Sequence, residues 1–170
     1  RSQGVRSEYL RFAFEPRVLE LLGPVQSRYD ATFVGGFTGQ HANGTRLFED
    51  VAGRVPVQFW GYGADSLPQD SVIRKSYHDE AWGLQMYRVL AESRISLNRH
   101  IDRSQRFANN MRLFETTGVG TLLVTDWKEN LSEMFEVGKE VVAYRTPQEC
   151  AELIAYYLAP DGSRRAVAQA

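Results

Sequence analysis

The residues that could do chemistry gather in three places. In the stretch 109–126, NNMRLFETTGVGTLLVTD, Arg112 and Glu115 stand three apart. On a helix that spacing puts guanidinium and carboxylate side by side on one flank. Such a pair is either a solvated ion pair on a surface helix or a charged contact for a shared guest. Asn109 and Asn110 just ahead of it are capping amides, and a helix start offers free N–H groups and a positive dipole end suited to phosphate. The second group is Asn98-Arg99-His100, closing the run RISLNRH. If that run is a strand of an open α/β sheet, these side chains sit where ligands bind, outside the carboxyl end. The plain alternative for His100 is a solvated loop histidine. The third is Gly35-Gly36 after DATFV. A glycine turn between strand and helix opens a phosphate-binding unit, although the full G-x-G-x-x-G is lacking and such glycines are as often only structural.

The elements that must position these residues follow from periodicity. Phe107, Met111 and Phe114, at i, i+4 and i+7, predict a helix with one apolar stripe against a sheet. A Gly118-Val119-Gly120 turn leads to a fully apolar strand over 121–125 that ends on Asp126. Upstream, strands are expected over 30–36 and 55–61, with a weaker one near Val72 and Ile73. A helix is expected over 45–52, and an amphipathic one over 82–93 carrying Leu84, Tyr87, Leu90 and Ala91. Downstream, a short helix over 130–135 precedes a strand over 140–144. Thr146-Pro147-Gln148-Glu149 then reads as a capped helix start with a capping box, the helix running to about 158 with Leu153, Ile154, Tyr157 and Leu158 inward. Cys150 on it is a packing residue rather than a nucleophile. Before all of this, Tyr9, Leu10, Phe12 and Phe14 mix with arginines, and Val18, Leu19, Leu21 and Leu22 predict a short helix ended by Gly23-Pro24. Five or six strands alternating with helices make an α/β protein with a Rossmann-like parallel sheet flanked by helices.

Composition narrows the function. A chain of 170 residues is one domain, and 43% hydrophobic with 24% charged residues is ordinary for a soluble globular protein. A formal net charge of -1 carries no electrostatic footprint for nucleic acid. No apolar run reaches the roughly 18 residues of a membrane span, and no signal peptide is visible. The single cysteine excludes an internal disulfide and fits a cytoplasmic location. His41, His78 and His100 share no metal-ligand spacing with Cys150, so no metal site is expected. Neither a G-x-S-x-G elbow nor a G-x-x-x-x-G-K-[ST] loop is present, which argues against an α/β-hydrolase and a P-loop NTPase.

Taken together, DATFVGG, Trp60-Gly61-Tyr62-Gly63, Ala81-Trp82-Gly83, Ser96-Leu97-Asn98-Arg99-His100 and NNMRLFETTGVGTLLVTDWKENLSEMFEVGKEVVAY resemble the C-terminal domain of GT-B glycosyltransferases of the glycosyltransferase group 1 superfamily. The resemblance is strongest to a bacterial branch related to the spore-maturation protein CgeB. It covers roughly residues 30–158.

That resemblance implies a nucleotide-sugar-binding domain. Glu115 holds the place of a glutamate that hydrogen-bonds the ribose, and Ala108, Asn109 and Asn110 hold the place of amides on the diphosphate. Gly35 and Gly36 correspond to the loop near the phosphates. Phe107 stands where the superfamily has a first glutamate and Phe37 where an arginine is common, leaving Arg46, Arg99 or Arg112 to neutralise the diphosphate. The resemblance further implies no cofactor beyond the nucleotide-diphosphate sugar donor, metal-independent transfer, and an N-terminal acceptor-binding partner domain without which the chain is inactive. Accordingly, residues 1–29 are expected to be a leading segment from that domain, 30–160 the donor-binding unit, and 161–170 a truncated helix; the start at Arg1 rather than Met reads as an excised domain. A non-catalytic scaffold of the same fold is the alternative. On the donor-binding reading, Glu115→Ala is expected to abolish nucleotide binding with little loss of stability.

Overall fold

The computed structural model describes residues 4, 6, 8, 10, 12–160 and 163–170. Six strands pair in parallel: β1 (Tyr29–Val34), β2 (Gln58–Trp60), β3 (Tyr77–Asp79), β4 (Ser93–Asn98), β5 (Leu122–Asp126) and β6 (Val142–Tyr144). Their order is β3-β2-β1-β4-β5-β6. The order reverses between β1 and β4, so the chain winds outward from that seam in both directions. In register, Ala31 and Phe33 of β1 lie beside Ile95 and Leu97 of β4, and Leu97 lies beside Val124 of β5.

Side chains alternate across the sheet. Phe33, Phe59, Ile95, Leu97, Leu122 and Val124 face one layer of helices: α2 (Ala42–Ala52), α3 (Val72–Lys75), α6 (Pro147–Leu158) and α7 (Arg164–Ala168). On the other face, Val34 and Trp60 meet Val89 and Leu90 of α4 (Gly83–Ala91), while Leu123 meets Leu113 of α5 (Arg112–Gly118). A sheet covered on both faces explains why β5 reads as an unbroken apolar run.

Several local readings hold. Thr146 caps α6, its hydroxyl accepting from the Glu149 N–H at 3.1 Å, and Pro147 is its first residue. The Glu149 carboxylate, however, accepts from the Arg145 N–H at 2.7 Å, one residue earlier than a capping box would have it. Cys150 is fully buried and burial pushes its thiol up to about 12, as a packing residue requires. A short helix α1 (Arg17–Leu22) ends on Gly23 at φ 63° and packs against α4 through the buried Leu22. Ahead of it Phe14 lies flat on α5, where any Cβ at Gly118 would come within 2.1 Å of its ring. Leu10, Phe12, Leu19 and Leu21 remain exposed; Tyr9 and Gly162 lie outside the described residues.

Other elements differ. Val72 and Ile73 form α3 rather than a strand, because Ser71 accepts from the Arg74 N–H and a single helical turn buries Ile73 completely. The edge strand on that side of the sheet is β3, whose polar Tyr-His-Asp run shows no alternation to read. The segment expected to be helical over 130–135 makes only a 3-10 turn at Leu131–Glu133.

Candidate functional site

The seam between β1 and β4 opens at its carboxyl end into a cleft of about 270 Å³. Gly35, Gly36, Asn98, Arg99, Asn110, Arg112 and Glu115 all line it. Four of the residues singled out in the sequence do not, Arg46 and Ala108 among them. Asn109 borders a separate, larger depression beside Phe107 and Phe114, and His100 is buried behind the cleft.

Backbone geometry builds the β1 side. Gly61, after β2, has φ 131°, and a Cβ there would stand 1.7 Å from the Gly35 carbonyl oxygen, so the two turns touch backbone to backbone. The Tyr62 ring lies directly over Gly36, where a Cβ would meet it at 2.5 Å. Tyr62 and His41 therefore line the cleft too, their Oη and Nε2 atoms 3.3 Å apart. Burial holds the His41 imidazole below its ordinary 6.5, against the opposing charge of Asp102, so it is neutral at pH 7. Neither residue was singled out as a ligand contact; the Gly61-Tyr62-Gly63 turn at a strand's carboxyl end was the available signal.

On the β4 side Asn98 spends its side chain internally. Its amide donates to Thr125 Oγ1 at 2.8 Å and its Oδ1 accepts from Asn110 Nδ2 at 2.9 Å. Asn98 thus positions Asn110, whose buried Oδ1 has no partner. The expected cap is thereby corrected. α5 starts at Arg112 behind Met111, with no side-chain cap, because Asn110 turns to Asn98 and Asn109 turns outward. The expected apolar stripe is corrected for the same reason. Phe107 and Met111 precede the helix and are about half exposed (51% and 52%), while Leu113 and Thr116 take the buried face.

Arg112 and Glu115 do pair, Nη1 to Oε2 at 2.8 Å, but they are not a solvated surface pair: their side chains are only 16% and 13% exposed. Arg112 also sits 2.9 Å from the Met86 sulfur. Burial lowers the Arg112 pKa, and the charge of Glu115 pulls it back up. The expectation that Glu115→Ala costs little stability therefore fails on physical grounds, since it would strip a mostly buried guanidinium of its counter-charge.

Arg99 lies along Gly44 of α2 and faces Asp102, Nη2 to Oδ1 at 3.6 Å. Arg46 is exposed and borders a different groove, with Glu49 and Asp70, and Phe37 is in the core at 4% exposure. The cations of the cleft are thus Arg99 and Arg112, each facing a carboxylate.

His100 is corrected from a ligand contact at the strand's end to a core residue, and it is not the solvated loop histidine of the alternative reading either. Its backbone N–H and its Nδ1 both reach Asp126 Oδ1, at 3.0 and 2.7 Å, and Lys128 Nζ lies 3.3 Å from Oδ2. Burial alone would raise the Asp126 carboxyl, but the His100 ring hydrogen bond and charge, with Lys128, hold it below its ordinary 3.8. Among the described residues no three His, Cys, Asp or Glu side chains form a metal-holding group, and no helix is long and apolar enough to cross a membrane.

A parallel sheet in this order, with a cleft at its seam and a carboxylate, two arginines and a glycine turn inside, can be set against known proteins. Residues 40–170 match the family model described as glycosyl transferase-like. The chain belongs to that family. No protein of curated function matches it. Among solved structures it is similar to an α1,3-fucosyltransferase with GDP, at TM-score 0.65 and 12% identity, covering 84% of this chain and 38% of that one. It is also similar to AviGT4, a glycosyltransferase involved in avilamycin A biosynthesis, at TM-score 0.60 and 19% identity over 98% and 53% of the two chains. The C-terminal domain of the glycosyl transferase group 1 family protein LpcC from Francisella tularensis matches at TM-score 0.57 and 12% identity, over 85% and 83%. The fold of this family member is the α/β Rossmann-like domain of GT-B glycosyltransferases. It spans under two fifths of the fucosyltransferase and about half of AviGT4.

Proposed function

We propose that this domain binds the nucleotide-diphosphate sugar donor of a glycosyltransferase, in the cleft between β1 and β4. One observation carries the reading: seven residues from three separate segments of the sequence converge on the seam of the sheet. Glu115, paired with Arg112 and open to the cleft, is the acceptor for the vicinal hydroxyls of a ribose. The Gly35-Gly36 turn offers its backbone to the diphosphate at the edge of the cleft, beside the Tyr62 ring that covers Gly36. Arg99 and Arg112 supply the positive charge that stabilises the diphosphate as it leaves, without a metal. Asn110, fixed by Asn98, lines the cleft with its buried Oδ1 still without a partner. Structures of the similar α1,3-fucosyltransferase with GDP and with GDP-fucose support a nucleotide sugar as the ligand class. The acceptor and the catalytic base belong, on this reading, to a second domain of a longer protein, and this domain alone does not turn over. The affinity with the CgeB-like branch rests on the sequence segments quoted above.

Thermal-shift titration with millimolar UDP, GDP and dTDP, repeated on Glu115→Gln, tests it. A shift for one nucleotide that is lost in the variant supports the assignment of Glu115. An equal shift in both proteins sinks that assignment. One observation favours a second reading, a scaffold that has lost donor binding: both arginines of the cleft are already neutralised. That reading gains if no nucleotide shifts either this chain or its full-length parent.

A further inference from the structure

Arg99 is the more accessible of the two cleft cations, with 23% of its side chain exposed against 16% for Arg112, and its Nε is enclosed and without a partner. Its counter-charge is Asp102, three residues on, in a short turn at Asp102–Ser104 just outside the cleft. Asp102 makes two contacts and neither is tight. Its Oδ1 lies 3.6 Å from Arg99 Nη2, too long for a hydrogen bond, and that oxygen is buried with no partner. Its Oδ2 accepts from the backbone N–H of Asn43, in the first turn of α2, at 3.3 Å. The carboxylate thus neutralises Arg99 while making contacts looser than those of Glu115 with Arg112. The same segment contains Gln105 at φ 46°, the one non-glycine residue at positive φ among those described. A non-glycine backbone in that region is strained and is kept there by its surroundings.

We propose that Asp102 is an exchangeable counter-ion, which occupies Arg99 and the start of α2 in the empty protein and is displaced from them by the diphosphate of the donor. The inference rests on the donor-binding reading of the cleft, which it deepens. One anion is exchanged for another, so Arg99 is never left as an unpaired charge. The cost is affinity: every phosphate that enters competes with a carboxylate tethered to the same loop.

Inorganic pyrophosphate is the probe, because it carries the diphosphate charge without a ribose for Glu115 to hold. Asp102→Asn keeps an amide oxygen for the Asn43 N–H, so the start of α2 survives; circular dichroism checks that. By calorimetry, Asp102→Asn is expected to bind pyrophosphate about fivefold more tightly than the natural chain. Arg99→Met is expected to abolish that gain. The exposed Asp70, in another groove, gives the charge control: Asp70→Asn should leave the affinity where it was. Equal or weaker binding by Asp102→Asn overturns the proposal, as does an equal gain in Asp70→Asn or no pyrophosphate binding by either protein. Nucleotide binding that ignores Glu115→Gln, alongside tighter pyrophosphate binding by Asp102→Asn, would remove the assignment of Glu115 and keep this one.

Discussion

Arg112–Glu115 and His100–Asp126 lie near the carboxyl edge of the same sheet, with closest approaches of 2.8 and 2.7 Å, and both are largely shielded from water. Their surroundings differ. Glu115 opens onto the cleft, and its partner is a fixed cation that needs no protonation to hold it. Asp126 is closed in, and it ties a loop down by gathering the His100 backbone N–H, the His100 ring and Lys128 onto one carboxylate. Buried charge alone therefore does not mark a ligand site. What separates the two is whether a carboxylate still has an open side.

The largest effect should come from the closed pair. Asp126→Ala leaves a buried ring nitrogen and a backbone N–H without an acceptor, at about 3 kcal/mol, and should lower Tm by about 9 °C. Calorimetric melting measures it. If the variant stayed as stable as the parent but lost nucleotide binding, the contrast between the pairs would collapse. The next effect divides Glu115 variants: Glu115→Ala should cost about 2 kcal/mol by isolating Arg112, and Glu115→Gln about 1 kcal/mol or less. Both should lose the nucleotide, so urea melts and ligand titrations on the two variants part structure from function.

A smaller effect follows from pH. Asp126 is held below its ordinary 3.8 in the folded protein, so its contribution is fully present above that value and is lost as pH falls through it and below. Asp126→Asn should flatten that acid limb of stability; an unchanged limb would mean that other carboxylates set it. The smallest effect lies away from both pairs. With a thiol at about 12 and no exposed surface, Cys150 should resist a disulfide reagent at pH 8 until the chain unfolds. Prompt labelling of the folded protein would show that α6 opens readily.

Much of the fold was legible because its signals are local. Five of the six strands overlap stretches whose residue pattern marks them as strands, and α6 carries Thr146 and Pro147 at its start. Where the reading failed, a distant contact had won. Asn110 looks like a cap but hydrogen-bonds to Asn98, twelve residues back, and so delays α5. Phe107 and Met111 fit a helical stripe by spacing, but they lie before the helix begins. His100 sits at the expected strand end, yet a carboxylate 26 residues later draws it inward.

The sequence by itself determined the alternation of strands and helices, the glycine turn after β1 and the adjacency of Arg112 to Glu115, because those depend on neighbours within a few residues. Only the tertiary structure decided that Asn98, Arg99, Asn110, Arg112 and Glu115 share one cleft with Gly35 and Gly36 while His100 and Asn109 do not. That choice depends on the reversal of strand order between β1 and β4 and on which face each side chain takes once the sheet is covered. It also decided how tightly each arginine of the cleft holds the carboxylate three residues on: Arg112 meets Glu115 at 2.8 Å and Arg99 reaches Asp102 only at 3.6 Å, although the spacing along the chain is the same.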